Sequence, residues 1–394
     1  MKKSNDYLAL AFNEASEAKK TNKETIDAVL GALKDEEGKL WVFDIVNKIN
    51  KELFDSEIYQ YNSAIQSETF ISHMKHWVFG KVLPKYEKKF SMSVAITPGT
   101  STALFISLSM NNKIPVLNSD LTWPMYEKAA QVVGQKYFSY SFLSNKYTFN
   151  DVSFKRTINK IFEKYGAINI IFNDPCHNPT GYTMDKNDWK KIVEILNGFV
   201  NKKINLILDT AYIEFSWTSE IFFKQILNFN KNINIFLSYS CSKTFSIYGL
   251  RLGVLFILTK KSISNDKKIS TELLKYTRAI YSNPPTLPIS IINKIFSNEL
   301  YFNTYINELK IHKDTLNERA KIFLNEAKEN KLVHCKYLGG FFIFIPCKNS
   351  FKIYQKLKKE AVYIAPIDGG IRISLGYLNK NEVKGLAEKI KKAL

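Results

Sequence analysis

The chain has 394 residues, of which 45% are hydrophobic, and 56 Lys+Arg against 37 Asp+Glu give a formal net charge of +19. That length suits two domains, or a large domain with a smaller companion, and the apolar content excludes a disordered chain. Excess positive charge bears on partners and solubility rather than on fold.

No apolar run approaches the roughly 20 residues that cross a bilayer, so no membrane partner is expected. The short N-terminal apolar stretch 7–12 runs straight into Asn13 and Glu14, which does not suit a secretory signal. The lysines are spread along the chain in pairs such as Lys19 and Lys20, or Lys260 and Lys261. Without a block of like charges they read as a solvated surface, and no nucleic-acid partner is expected. Cys176, Cys241, Cys335 and Cys347 show no CxxC spacing, so no metal site is expected and a reducing cytoplasm is the natural setting.

Short runs rich in Ile, Val and Phe lie at 93–97, 114–117, 168–172, 204–209, 233–239 and 252–258. They lack strict alternation, as expected of strands buried on both faces. Helical patterns lie between them, for example at 102–110 and 186–200, which predicts an α/β layer with a mainly parallel sheet. From about residue 298 the pattern changes. Apolar residues from Phe302 to Ala327 recur mostly at three- and four-residue steps and predict one long amphipathic helix. Gly339 and Gly340 precede a strand at 341–345. Asn379, with Glu382 three residues on, caps a last helix whose buried stripe is Val383, Leu386, Ala387 and Ile390. This part reads as a separate α+β unit.

In open α/β sheets ligands bind beyond the carboxyl ends of the strands. After 93–97 comes Pro98-Gly99-Thr100-Ser101-Thr102, which opens a helix. Its free N–H groups make an anion site, or equally an ordinary helix start. After 168–172 comes a turn with two prolines that presents His177 and Asn178. Asp209 ends the next run, followed by Tyr212. It is a carboxylate that needs a partner, whether a helix cap, an ion pair or a cationic heterocycle. After 233–239 come Ser240-Cys241-Ser242-Lys243 and, eight positions beyond the lysine, Arg251. A lysine held in a pocket can lose its proton and form an imine, and an arginine can neutralise a phosphate. An imine-forming lysine, an acid for a pyridinium nitrogen and a phosphate cup are jointly what pyridoxal 5'-phosphate requires.

These stretches, with 281–285 and 372–376, resemble the aspartate aminotransferase family, in the aspartate/aromatic subgroup of fold type I pyridoxal-phosphate enzymes. The resemblance implies an α/β fold with a mostly parallel central sheet flanked by helices, plus a smaller α+β domain. It implies that residues 45–310 form the large cofactor-binding domain, and that 1–44 join 311–394 in the small one. Lys243 would carry the cofactor and move the proton, while Asp209 would pair with the ring nitrogen. Tyr212 and Asn178 would bond the ring oxygen, and Trp123 would stack on the ring. Thr100, Ser101, Ser240 and Arg251 would hold the phosphate, joined by Tyr61 from the neighbouring subunit of a homodimer. Arg372 would grip the substrate α-carboxylate. Gly31 would line the substrate site in the N-terminal segment, and Arg278 would reach a side-chain carboxylate across the dimer interface. Two departures stand out: the phosphate loop is bulkier than the glycine-rich loop common in the family, and the segment 363–370 before Arg372 is not a close match.

The activity so implied moves an amino group from L-aspartate to 2-oxoglutarate with ping-pong kinetics. An aromatic aminotransferase is the alternative. Another pyridoxal-phosphate reaction, such as a β-lyase or decarboxylase, is disfavoured because paired arginines suit a dicarboxylic second substrate. A basic nucleic-acid-binding protein has no supporting motif.

Overall fold

The computed structural model describes residues 3–261 and 266–394. Among these, the strands in chain order are β1 (Ile26–Ala28), β2 (Phe90–Thr97), β3 (Val116–Ser119), β4 (Tyr137–Tyr140), β5 (Ala167–Asn173) and β6 (Lys203–Asp209). They continue with β7 (Ile233–Tyr239), β8 (Gly253–Lys260), β9 (Phe342–Pro346), β10 (Val362–Ile367) and β11 (Gly370–Ser374).

The large sheet has seven strands in the order β2-β8-β7-β6-β5-β3-β4. All its neighbours pair in parallel except β8, which is antiparallel to both β2 and β7. Ile168, Leu206, Leu237 and Val254 are fully buried on its strands. Each such side chain stabilises the fold by about 1.5–3 kcal/mol relative to exposure. A buried amide ladder fixes the register of the central strands. Asn205 Nδ2 donates to Asn169 Oδ1 at 2.8 Å, and Asn234 Nδ2 donates to Asn205 Oδ1 at 3.2 Å. A one-residue slip would turn these amides to the opposite face, against apolar neighbours. The same register puts Asn173, Asp209 and Ser238 side by side at the carboxyl edge.

The second sheet has the order β1-β10-β11-β9. Its β1 comes from the N-terminal segment and pairs in parallel with β10, Ile26 opposite Val362. The helix α1 (Lys3–Thr21) packs on the same strand, with Ala11 and Ala15 buried. Three apolar cores lie among the described residues, two against the large sheet and one on the small sheet. The long helix α2 (Glu299–Glu329) joins two of them, giving Tyr305 and Leu309 to a core of the large sheet and Leu316, Ala320 and Phe323 to that of the small one.

Two expectations need correction. The last helix is two: Lys380–Val383, capped by Asn379, and Leu386–Ala393, separated by Gly385 at φ 74°. The apolar stripe is continuous across a turn that only a left-handed residue makes easily. The edge strand β4 has no counterpart among the expected runs. Three of its four residues are aromatic and only Tyr140 is buried, so it lacks the aliphatic signature of the central strands.

Candidate active site

The carboxyl edge of the large sheet opens into a cavity of about 540 Å³. At one end Gly99, at φ 78°, turns the chain from β2 into the helix Thr100–Ser109. A Cβ on Gly99 would lie 2.6 Å from an Arg251 guanidinium nitrogen, and one on Gly253 would lie 3.0 Å from the Gly99 carbonyl carbon. The two glycines let backbone and guanidinium close on one another. Arg251 donates to the Tyr248 carbonyl at 3.1 Å and has no carboxylate partner among the described residues. Thr100, Ser101, Ser240 and Arg251 line this end of the cavity. Hydroxyls, a cation and the N-terminus of a ten-residue helix form an anion cradle.

Asp209 sits at the cavity floor. Its Oδ2 accepts from the Tyr126 hydroxyl at 2.8 Å and its Oδ1 from the Ala211 N–H at 3.1 Å. Burial pushes this carboxyl up, and the two donors pull against that shift. Lys243 lines the same space. Its Nζ donates to the Gly31 carbonyl at 2.9 Å and lies 4.6 Å from the centre of the Tyr248 ring. Loss of water, and then the positive charge of Arg251, push the amine down to about 8.

Arg372 enters from β11 of the other sheet. It donates to Asn178 Oδ1 at 2.9 Å and to the Val29 carbonyl at 2.5 Å, and lies 4.5 Å over the Phe342 ring. Burial lowers it to about 10, and its Nε has no hydrogen-bond partner among the described residues. Asn178 is held in turn by its own N–H, which donates to Asn173 Oδ1 at 2.7 Å. Tyr212, Trp123 and Gly31 complete the wall. Burial raises the Tyr212 hydroxyl, and nearby Arg372 opposes this.

Two expected residues lie elsewhere. Tyr61 is 87% exposed, and exposed Arg278 donates to the Ser282 carbonyl at 3.3 Å. Neither lines the cavity. The segment around Tyr61 is tied to the one that follows the helix of Arg278: the Asn62 N–H donates to Asn283 Oδ1 at 3.1 Å, and the Thr286 hydroxyl to the Gln60 carbonyl at 2.7 Å. The expectation for His177 is corrected. Its ring is buried against Phe142, with Nδ1 2.7 Å from the Thr180 hydroxyl, and burial lowers it to about 3. It supports the turn and does not face the cavity.

Residues 10–390 match the model of the family "Aminotransferase class I and II". The chain belongs to this family. It is 26% identical to the aspartate aminotransferase of Escherichia coli K12 over 345 residues, which is 86% of this chain and 83% of that protein. Among solved structures, an aminotransferase from Anaerococcus prevotii superposes with a TM-score of 0.90 at 26% identity, covering 98% of this chain and 96% of that one. An aromatic-amino-acid aminotransferase from Burkholderia pseudomallei, covalently bound to pyridoxal phosphate, shares the fold. Its TM-score is 0.81 at 22% identity, with 98% and 96% covered.

As a member of this family the chain is a pyridoxal-phosphate-dependent aminotransferase. The residues present fit that cofactor. The cradle at Gly99 holds a guanidinium with no acidic partner among the described residues, and burial raises the Asp209 carboxyl against the pull of its two donors and of Lys243, so a protonated ring nitrogen beside it would favour its charged form. Lys243 lies between them as an amine that is easily made neutral.

Several neighbours escape a reading by strand ends. Tyr126 reaches Asp209 from 83 positions earlier, whereas Asn173, at the end of β5 and so within such a reading, both holds Asn178 and donates to the Asp209 carbonyl at 2.9 Å. Leu8 and Phe12 of α1 and Lys128 also line the cavity. The one sequence signal for Tyr126 is its place three residues after Trp123.

Proposed function

We propose that the protein transfers the amino group of L-aspartate, or a similar amino acid, to 2-oxoglutarate. The observation that carries this reading is that Lys243, from the large sheet, and Arg372, from the small one, face a single cavity. The arginine would hold the α-carboxylate so that the Cα–H bond points at the lysine amine. The cradle residues Thr100, Ser101, Ser240 and Arg251 would hold the cofactor phosphate, Asp209 its ring nitrogen, and Asn178 and Tyr212 its ring oxygen. Bound there, pyridoxal phosphate supplies an electron-accepting ring conjugated to the substrate Cα.

Lys243, as a neutral amine, would remove the proton from Cα and return a proton to the cofactor carbon. Its lowered pKa suits that exchange near neutral pH. Asp209 would keep the ring nitrogen protonated. Trp123 would hold the ring face. Gly31 and the rest of the N-terminal segment would exclude water. The amino acid and the oxo acid would use the same cavity in turn, giving ping-pong kinetics.

The aspartate preference is supported by the names of curated relatives such as the Escherichia coli protein. An aromatic preference is the second reading, favoured by the apolar wall of Leu8, Phe12 and Met125. We further propose a homodimer in which Tyr61 and Arg278 complete the partner's site. Exposed Phe54, Tyr59 and Leu274 near their loops support that face. The division into residues 45–310 and a small domain of 1–44 with 311–394 is likewise proposed, supported by the two cores that share α2. A cytoplasmic setting is proposed from the free cysteines, three of them buried. Among the described residues no helix is long and apolar enough to cross a membrane.

The test is a half-reaction panel with aspartate, glutamate, phenylalanine, tyrosine and alanine on the purified yellow protein, read from the cofactor absorbance. Aspartate and glutamate should bleach the band fastest. Faster turnover of phenylalanine and tyrosine would move the assignment to the aromatic reading. Retention of full turnover in Lys243→Ala would overturn the role of the lysine.

A further inference from the structure

We infer that Glu214 positions Lys243, by tying the turn that carries the lysine to the turn that follows Tyr212. This rests on the transamination reading above and adds to it a residue outside the cavity lining. Glu214 lies two places after Tyr212, in the turn Ile213–Phe215. That turn is short but fixed: the Ile213 N–H donates to the Thr210 carbonyl at 3.1 Å and the Phe215 N–H to the Tyr212 carbonyl at 3.0 Å. Lys243 sits in another single turn, Cys241–Thr244, close after β7. Its amine lies 5.8 Å from the centre of the Tyr212 ring, so the two turns deliver neighbouring side chains to the cavity.

Tyr239, the last residue of β7 and fully buried, bridges the turns. Its hydroxyl lies 2.8 Å from Glu214 Oε1 and 2.9 Å from the Thr244 hydroxyl, and Trp77 Nε1 donates to it at 2.7 Å. A phenol has one proton and a carboxylate only accepts, so the phenol donates to Glu214. The Thr244 hydroxyl then donates to the phenol oxygen, and each group has a partner. Burial raises the Glu214 carboxyl, while the Tyr239 hydroxyl and then the Lys313 ammonium pull it back toward the charged, accepting form. Tyr305 of α2 holds the other side of the lysine turn. Its hydroxyl donates to the Thr244 carbonyl at 3.3 Å, and its ring stacks on Phe245 at 4.8 Å. A single helical turn is costly to form and has few bonds of its own, so side-chain ties decide where Lys243 stands.

The experiment follows pyridoxal phosphate uptake by the cofactor-free protein in stopped flow, alongside kcat, KM and thermal melting. Glu214→Ala and Tyr239→Phe should each slow uptake and lower kcat about tenfold, the size of one hydrogen bond to a charged group, with the KM for aspartate nearly unchanged. Glu214→Gln keeps an acceptor for the phenol and should recover most of the loss. The double variant Glu214→Ala/Tyr239→Phe should be no slower than the worse single one, because both cut the same link. Amide exchange over residues 212–216 and 240–246 should speed up together. A purely structural role would lower the melting point and leave uptake and kcat in place well below it; that result in Glu214→Ala and Tyr239→Phe overturns the inference. Additive losses in the double variant, or a Glu214→Gln as slow as Glu214→Ala, overturn it too. Tyr239→Phe keeps the ring and carries the test if Glu214→Ala does not fold. Variants that match a transaminating wild type leave the aminotransferase reading standing, whereas a wild-type chain that takes up no pyridoxal phosphate takes both down.

Discussion

The amine of Lys243 donates to the carbonyl of Gly31 at 2.9 Å, across 212 positions of sequence. The flanking residues of the same segment are tied to the opposite wall: the Val29 carbonyl accepts from Arg372, and the Leu30 carbonyl from the Ser374 hydroxyl at 2.7 Å. Leu33 turns back, its N–H donating to the Tyr248 hydroxyl at 3.1 Å. The N-terminal segment is therefore a strap between the lysine of one sheet and the arginine of the other. Its placement sets how far apart those two groups lie.

Gly31→Ala should slow turnover while leaving the cofactor bound. A Cβ at Gly31 would lie 2.7 Å from Phe342 Cζ and 3.4 Å from the Tyr212 hydroxyl. The strap must move away, and Phe342 is the ring beneath Arg372. Misplacement on the order of 1 Å costs about 100-fold in an oriented reaction. Single-turnover rates for aspartate, compared with cofactor absorbance, check this. A variant with normal rates would show that the strap tolerates displacement.

The depressed pKa of Lys243 gives a pH signature. Attack on an aldehyde needs the neutral amine, so uptake of pyridoxal phosphate by cofactor-free protein should speed up as pH rises and level off near the amine pKa of about 8. Below that point the neutral fraction falls about tenfold per pH unit. Arg251→Met removes a positive neighbour that holds the amine down, so the inflection should move to higher pH even though binding weakens. Stopped-flow uptake rates across pH 6–10 would reveal it (the pH range is set at roughly two units either side of the amine value). An inflection that stays put in the variant would remove Arg251 as a cause.

How much of this was legible in the sequence follows from where each residue sits. The run 233–239 coincides with β7 because strands buried on both faces are written as continuous apolar runs. Asp209 and Lys243 stand out because each follows such a run, where a charged group needs a reason. Tyr126 and Lys128 carry no comparable mark. They lie on a helix, and only the tertiary fold brings Tyr126 to Asp209. His177 misleads for the opposite reason. It follows a strand closely, but packing against Phe142 decides which way the ring points, and no local pattern encodes that. The small sheet is hard to foresee because β1 pairs with β10 from the far end of the chain.

Gly99→Ala should weaken the cofactor rather than the fold. At φ 78° an alanine is strained by about 1–2 kcal/mol. Its methyl would also lie 2.6 Å from the Arg251 guanidinium, the far end of a side chain that can shift. The result should be a loss of pyridoxal phosphate affinity of at least about tenfold, given the size of one charge-assisted contact. Equilibrium dialysis measures this directly. Unchanged affinity would mean that Arg251 does not hold the phosphate.

Arg319→Met should destabilise the protein and loosen the strap. Arg319 is fully buried on α2, donates to the Lys34 carbonyl at 2.8 Å and to the Gly376 carbonyl at 3.3 Å, and meets Glu36 at 2.7 Å. The buried Lys34 carbonyl loses its donor, the Gly376 carbonyl keeps only the Lys34 N–H at 2.8 Å, and Glu36, partly open to water, loses its cation while keeping the Lys380 N–H at 2.8 Å. The expected cost is about 2–4 kcal/mol. Thermal melting and faster amide exchange over residues 29–38 would register it, and a melting point equal to wild type would argue against the anchor.

Tyr126→Phe tests whether the phenol sets the charge state of Asp209. Burial already raises this carboxyl, and the Tyr126 hydroxyl, donating at 2.8 Å, works against the shift. Without that donor the carboxyl should rise further and hold its proton to higher pH. The charged form is the one that can face a protonated ring nitrogen, so activity should be lost on acidification at a higher pH than in wild type. A hydrogen bond to a charged acceptor is worth about 1.5–3 kcal/mol, so kcat at neutral pH should fall about ten- to a hundredfold. Phenylalanine keeps the ring, and with it the edge-on packing against Trp123 at 5.4 Å, so a purely structural role would leave the pH profile in place. A kcat–pH curve that drops without moving would assign Tyr126 to packing, while one that shifts toward neutral assigns it to the ionisation of Asp209.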